Sequence, residues 1–258
     1  MTGTSLEIIK QHLGSFKSVG LKELDRVALL DRMDTKFAFT VEQLPTFLDQ
    51  LKDKYFVLEI NNSRMFQYES LYFDTDSFAL FYQHLCGRMN RYKVRFRKYV
   101  ESDLSFFEIK FKNNKGRTVK SRVRQYGENS IQGDALLLLN EKSTLSSSDL
   151  KAIMWVNYIR VTLVSSDFKE RLTLDLDLTF KNDTDEKNIT QLVIAEVKQS
   201  KAGRSEFIRV MKRAHIRTGA ISKYCYGVMS LFKSVKINNF KEQLIHLNKL
   251  LHASPAGH

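Results

Sequence analysis

Charged and apolar side chains alternate, residue by residue, in one short stretch after another of this chain, and that pattern limits its architecture more than any other. Successive side chains of a β-strand point to opposite faces, so a strict period of two marks a strand with two unlike sides. Along 91–99, Lys93, Arg95 and Arg97 fall on one face and Tyr92, Val94 and Phe96 on the other. Along 106–112, Glu108, Lys110 and Lys112 oppose Phe107, Ile109 and Phe111. A turn at 113–116 leads into 118–124, where Lys120, Arg122 and Arg124 alternate with Val119 and Val123; the pair predicts a hairpin with its basic residues on one side.

The same reading continues along the chain. Tyr158, Arg160 and Thr162 alternate with Ile159, Val161 and Leu163. Arg171, Thr173, Asp175 and Asp177 alternate with Leu172, Leu174, Leu176 and Leu178, which predicts that the two aspartates share a face. Glu196 and Lys198 oppose Val193, Ala195 and Val197, and Arg32, Asp34 and Lys36 face away from Thr35, Phe37 and Phe39. Helical spacing interrupts the strands near Thr40, where Thr40 and Gln43 fit a capping box ahead of Leu44, Phe47, Leu48 and Leu51. It recurs at 77–85, 205–216, 222–232 and 239–251. Residues 127–148 read as a long connection with a short apolar helix at 135–139, and 253–258 as a frayed tail.

One two-faced strand is ordinary, because an antiparallel sheet often leaves one face to water. Many such strands, with helices that need apolar surface to pack on, predict an α+β fold. Its closed antiparallel β-barrel is clasped by helices on an apolar outside and lined by charge within. Like charges 4 Å apart repel by about 1 kcal/mol in water and about 4 kcal/mol at an effective dielectric of 20, so a cationic interior calls for a counter-anion. The totals agree: 41 Lys plus Arg against 29 Asp plus Glu give a net charge of +12, which favours an acidic partner. At 258 residues a single domain, 1–258, is the expectation. With 43% hydrophobic residues the composition is that of a folded chain rather than a disordered one. The two cysteines, Cys86 and Cys225, have no metal-site spacing and read as buried free thiols of a reducing compartment. No apolar run reaches membrane-spanning length, so a cytoplasmic location is expected.

Taken in order, the segments Asp31-Arg-Met-Asp-Thr-Lys-Phe37, Tyr72-Phe-Asp-Thr75, Arg91-Tyr-Lys-Val-Arg-Phe-Arg97, Phe107-Glu-Ile-Lys110, Val119-Lys-Ser-Arg122, Arg171-Leu-Thr-Leu-Asp-Leu-Asp177, Glu196-Val-Lys198 and Ser222-Lys-Tyr224 resemble the catalytic domain of the vacuolar transporter chaperone (VTC) family, within the triphosphate tunnel metalloenzyme superfamily. The resemblance implies a tunnel of antiparallel strands that binds ATP or another nucleoside triphosphate with a divalent cation, Mn or Mg, and builds inorganic polyphosphate. It implies phosphate-binding roles for Lys36, Arg95, Arg97, Lys110, Lys120, Arg122, Arg160, Lys198 and Lys223, and Lys93, on the basic face of 91–99, is a further candidate. The metal is expected on Glu196, with Glu108, Asp175 and Asp177 as further candidates. The hydrolase branch of that superfamily carries Glu-x-Glu-x-Lys on its first strand; here the stretch is Arg32-Met-Asp-Thr-Lys36, which lowers the inorganic triphosphatase reading. A hydrolase and a non-catalytic polyphosphate-binding module remain the alternatives, and the chain reads as a stand-alone enzyme or as a subunit of a membrane-protein partner.

Other residues carry blander expectations. Asp74 or Asp76 is expected to satisfy backbone N–H groups at a helix start, and His84 and His215 to be packing or surface residues. Nucleic acid is not expected as a ligand, because the aromatic residues mostly fall opposite the basic ones, whereas a base-stacking platform needs them alongside.

Overall fold

The computed structural model describes residues 3–24, 27, 32–125, 130–200, 204–219 and 222–236; the helix expected at 239–251 and the tail at 253–258 lie outside them. In chain order the elements are α1 (Gly3–Gly14), β1 (Ser18–Val19), α2 (Leu21–Leu24), β2 (Arg32–Thr40), α3 (Leu44–Leu51), β3 (Tyr55–Leu58), β4 (Phe66–Asp74), α4 (Ala79–Leu85), β5 (Arg91–Tyr99), β6 (Leu104–Lys112), β7 (Thr118–Arg124), α5 (Gly133–Lys142), β8 (Lys151–Ser165), β9 (Glu170–Lys181), β10 (Glu186–Ile189), β11 (Leu192–Ser200), α6 (Glu206–Arg213) and α7 (Lys223–Leu231). The α+β expectation holds. All strands join one sheet with the path β2-β11-β9-β8-β4-β5-β6-β7, and β1, β3 and β10 pair off that path. Every pairing is antiparallel except β1 with β3.

The expected closure into a barrel does not occur. β2 and β7 are the two ends of the path, and among the described residues they do not pair. The reason is visible at β2. Its outer edge is occupied by the segment after α6, through a bridge between Phe37 and Thr218 and a 3.0 Å hydrogen bond from the Gly219 N–H to the Lys36 carbonyl. At Lys36 and Phe37 that edge is therefore not open to β7. The sheet still curls strongly. Lys36 on β2 and Lys110 on β6 stand six strand spacings apart along the path, about 29 Å in a flat sheet, yet their charges act on one another. The result is a trough with a concave face, open along one seam.

Apolar packing sorts the helices onto the two sides. On the convex face α1, α3 and α6 cover Phe37, Phe39, Leu172, Leu174, Val193 and Ala195, and α5 covers Val94, Phe96, Phe107 and Ile109 through Ala135 and Leu139. Helix α7 is different: Tyr224, Val228 and Leu231 pack with Tyr72, Met154, Val156, Tyr158 and Phe180, so α7 lies against the concave face and fills one end of it. A Cβ on Gly227 would sit 2.5 Å from Phe180 Cδ1 and 2.8 Å from Met154 Sδ, so glycine is what lets the helix come this close.

Strand β9 does not keep its alternation. Asp177 has a left-handed φ of 51° where the β8–β9 register slips, and the apolar residues change sides there: Leu172, Leu174 and Leu176 pack on the convex face, whereas Leu178 and Phe180 join the α7 cluster. The expectation that Asp175 and Asp177 share a face is corrected by this bulge. The connection after β7 is also more ordered than expected, with a helix over Gly133–Lys142. Of the two thiols, Cys225 is buried as expected but Cys86 is exposed. No helix among the described residues is long and apolar enough to cross a membrane.

Candidate functional site

Three carboxylates of the concave face, Glu108, Asp175 and Glu196, each lie between two cations. Register produces the first contact in each set, because Arg95 stands opposite Glu108, Arg160 opposite Asp175, and Lys36 opposite Glu196 on neighbouring strands. Glu108, 2% exposed, accepts from Arg95 Nε and Nη2 at 2.8 and 2.6 Å through Oε2, while Lys120 Nζ lies 2.5 Å from Oε1. Asp175 takes a two-pronged grip from Arg160, Nε to Oδ1 at 2.6 Å and Nη2 to Oδ2 at 2.8 Å, and Lys223 of α7 donates to Oδ2. Glu196 accepts from Lys198 through Oε2, and Lys36 Nζ is 3.9 Å from Oε1.

These pairs correct the expectation that the interior requires a foreign anion: its own carboxylates neutralise part of its charge. Burial pushes the Glu108 carboxyl up, but Arg95, Arg97 and Lys120 outweigh it and hold the group at about 2. Burial acts the same way on Asp175 and Glu196, and their cationic neighbours hold both well below the usual carboxylate range. All three are anionic at neutral pH. The lysines show the converse. Burial pulls Lys93 down to about 8, aided by Lys36 and Lys110; burial likewise brings Lys120 and Lys198 to about 8, against the pull of Glu108 and Glu196. An anion arriving among them stabilises their charged forms. Tripolyphosphate binding at pH 8 is therefore expected to take up protons, with an affinity that falls as pH rises from about 7 to 9; calorimetry in buffers of different ionisation enthalpy checks it.

Four tyrosines, Tyr68, Tyr72, Tyr158 and Tyr224, share the concave face with the cations, which corrects the view that the aromatics mostly oppose the basic residues. The Arg160 guanidinium carbon lies 4.9 Å from the Tyr68 ring centroid and 5.3 Å from that of Tyr158, which stack on each other. Lys223 sits 4.8 Å above Tyr158, Arg95 5.7 Å above Tyr72, Arg97 5.5 Å above Tyr68 and Lys93 5.6 Å above Tyr224. Lys93 also donates to the Ser222 hydroxyl at 2.9 Å, while that hydroxyl caps α7 by accepting from the Cys225 N–H.

A family model described as the VTC domain matches residues 31–232. The chain belongs to the VTC domain family. Among solved structures, a proposed adenylate cyclase from Bacillus halodurans shares the fold with a TM-score of 0.50 at 16% identity, over 79% of this chain and 98% of that one. A proposed adenylate cyclase from Vibrio parahaemolyticus aligns with a TM-score of 0.44 at 14% identity, over 77% of this chain and 99% of that one. A proposed adenylyl cyclase from Hippeastrum, described as having a dominant triphosphatase activity, aligns with a TM-score of 0.44 at 13% identity, over 80% and 99%. No curated protein matches the chain in sequence.

This VTC domain brings together most of the residues singled out from sequence. Lys36, Lys93, Arg95, Arg97, Lys110, Lys120, Arg160, Lys198 and Lys223 are linked by the contacts and charge interactions of the concave face. Arg122 is exposed on the end strand β7, over the Phe106 ring at 4.7 Å. Asp177 sits at the bulge. Sequence reasoning missed Tyr68, Tyr72, Tyr158 and Tyr224 as members of the site. The signal was present for the first three, since each falls in phase with basic residues or polar positions of its strand. Asp34 was also passed over, although it stands opposite Lys198 on the face of Lys36. Asp74 accepts from the Thr75, Leu80 and Phe81 N–H groups, as a helix-start carboxylate should. Asp76 instead pairs with Lys151.

The carboxylates also tell which of them suits the divalent cation implied by the family. Both oxygens of Glu108 and of Asp175 are committed at 2.8 Å or less to cations. Among the described residues Glu196 Oε1 has Lys36 as its ion-pair partner, at 3.9 Å. Among the described residues no three His, Cys, Asp or Glu side chains converge as a self-sufficient metal cluster. One partly free carboxylate suits Mg²⁺ or Mn²⁺ held mainly by substrate phosphates and water. Glu196 fits that part; Glu108 and Asp175 act as internal counter-ions.

Proposed function

We propose that the concave face binds the triphosphate of a nucleoside triphosphate and transfers its phosphoryl groups, and that the product is inorganic polyphosphate built from ATP. The observation that carries this reading is the arrangement of three carboxylates each between two cations, with further lysines beyond them, in a chain of the VTC domain family. Arginines 95 and 160 stay fixed by their carboxylates and tyrosines and offer their remaining N–H groups to phosphate oxygens. Lys36, Lys120 and Lys223 are single ammonium groups on flexible stems, able to turn from carboxylate to phosphate as the substrate enters. Phosphoryl transfer asks a protein mainly for positioning and neutralisation, so no serine, histidine or cysteine nucleophile is needed; the attacking oxygen belongs to the acceptor phosphate. Glu196 would hold a divalent cation, which would supply positive charge against the phosphates. Helix α7, packed into one end of the trough, excludes water there, which favours a phosphate acceptor over hydrolysis.

Purified protein incubated with ATP and Mn²⁺ or Mg²⁺ is expected to yield acid-stable polymer that a polyphosphate-specific exonuclease degrades. Orthophosphate alone would make the chain a hydrolase, and absence of turnover with retained polyphosphate binding would make it a binding module. The location and any membrane-protein partner belong to the same proposal: an enzyme that acts on ATP works where ATP is, and its polymer then needs a route onward.

A further inference from the structure

Tyr72 occupies a special place on the concave face. It stands directly opposite Arg95 in the β4–β5 pairing and is 5% exposed. Its hydroxyl accepts a 2.9 Å hydrogen bond from Arg95 Nη1, while Nε and Nη2 of the same guanidinium hold Glu108. The ring is stacked on Tyr224 of α7 with centroids 5.1 Å apart, and Tyr224 is itself tied to Asp74 through its own hydroxyl. The ring therefore cannot swing away. A phenol that accepts one hydrogen bond still has its own O–H to donate. Among the described residues none accepts it: the charged groups that act on it are the cations Arg95, Arg97 and Lys93 of β5, Tyr224 of α7 meets it ring to ring, and Met154 of β8 stands opposite it. An oxygen-rich anion lying on Arg95 would supply the missing acceptor.

We propose that Tyr72 is a substrate-contacting residue of this site, donating its phenolic hydrogen bond to a phosphoryl oxygen held by Arg95. The inference rests on the reading of the concave face as a triphosphate site. A neutral donor here does what another lysine would not: it adds a directional contact without adding to the repulsion among Arg95, Arg97 and Lys93. Those same neighbours make it a strong donor. Burial pushes the phenol up, but the three cations outweigh it and bring it to about 8. A bound phosphate adds negative charge beside the hydroxyl and so raises its pKa again, keeping the proton in place for donation.

Two measurements on the intact protein test this. In the first, phenolate absorbance is followed with pH, with and without saturating tripolyphosphate. One phenol should ionise near pH 8, apart from the others, and tripolyphosphate should move that step upward; a step that ignores tripolyphosphate overturns the proposal. In the second, calorimetry compares tripolyphosphate binding to the wild type and to Tyr72→Phe, which keeps the ring and its stack on Tyr224. The variant should lose the early phenol step and bind about ten- to a hundredfold more weakly. Equal affinity of the two proteins would overturn the role of Tyr72 and leave the triphosphate site standing, whereas a wild type that does not bind tripolyphosphate would sink both.

Discussion

Replacing Glu196 with Gln is expected to lower metal-dependent turnover of a nucleoside triphosphate by at least about a hundredfold, while tripolyphosphate binding without metal stays equal or tightens a few-fold. The two effects have opposite signs because the side chain has two jobs. Of Glu108, Asp175 and Glu196, it is Glu196 whose second oxygen stands farthest from its cation, 3.9 Å from Lys36 Nζ, so the amide removes the anchor for a divalent cation. The same change frees Lys198 and Lys36 from their counter-ion, which leaves them more available to phosphate. A structural role alone would lower binding and turnover together. Full turnover in the variant would end the assignment of Glu196. Asp175 provides the contrast. Asp175→Asn leaves the buried Arg160 guanidinium without its counter-charge, and breaking such a pair costs about 3–5 kcal/mol, so the first loss should be in thermal stability. Equal stability of this variant and the wild type would show that Asp175 is not an internal counter-ion.

Much of this was legible from the chain. A period of two needs only local geometry, so the faces of β5, β6, β7 and β11 followed from it, and the register of neighbouring strands then placed Arg95 against Glu108 and Arg160 against Asp175. Three features depend on contacts distant in sequence and could not be read that way. Closure failed because Thr218 and Gly219 lie on the edge of β2, a meeting of segments some 180 residues apart. The face of Asp177 was lost because one residue in a left-handed conformation reverses the parity of everything after it. The occupant of the trough escaped notice because the spacing in 222–232 marks a helix but not which side of the sheet it packs on; Gly227 was the clue, and a helical glycine reads as a cost until a close approach explains it. The tyrosines were misassigned for a simpler reason. Counting all aromatic residues together hid that Tyr68, Tyr72 and Tyr158 fall in phase with the basic residues while Phe96, Phe107 and Phe111 fall opposite them.

The helix in the trough hangs on one side chain, and Asp74→Ala is expected to destabilise the protein by about 3–5 kcal/mol, a loss of roughly 10 °C in melting temperature. Asp74 is wholly buried. Through Oδ1 it accepts from the N–H groups of Thr75 at 2.8 Å and Leu80 at 2.9 Å, and through Oδ2 from the Phe81 N–H at 2.9 Å and from the Tyr224 hydroxyl. Alanine leaves these donors without an acceptor in a place water does not reach, and each such group costs about 1–3 kcal/mol, with overlap between them. Asp74→Asn should fall in between, since its amide keeps one acceptor oxygen but turns an N–H₂ toward donors. The pH dependence separates this carboxylate from Glu108. Burial pushes the Asp74 carboxyl above its ordinary value, with Tyr224 and the backbone N–H groups pulling the other way. The folded state thus binds the proton more tightly than the unfolded one, and the contribution of Asp74 to stability falls as pH rises from the unfolded value through the folded one. Glu108, held at about 2, contributes stability that is present above its unfolded value near 4.5 and lost as pH falls toward 2. Thermal melts across the acid range should therefore show the alanine variant losing stability more steeply on acidification than the wild type, because the opposing term is gone. The functional consequence follows the same thread: Tyr224 is followed along α7 by the residues that pack the trough and preceded by Ser222 and Lys223, which reach Lys93 and Asp175. Loosening that anchor should weaken tripolyphosphate binding, although Asp74 itself lies wholly out of reach of solvent. A variant that melts like the wild type would show that α7 is held by its apolar face alone.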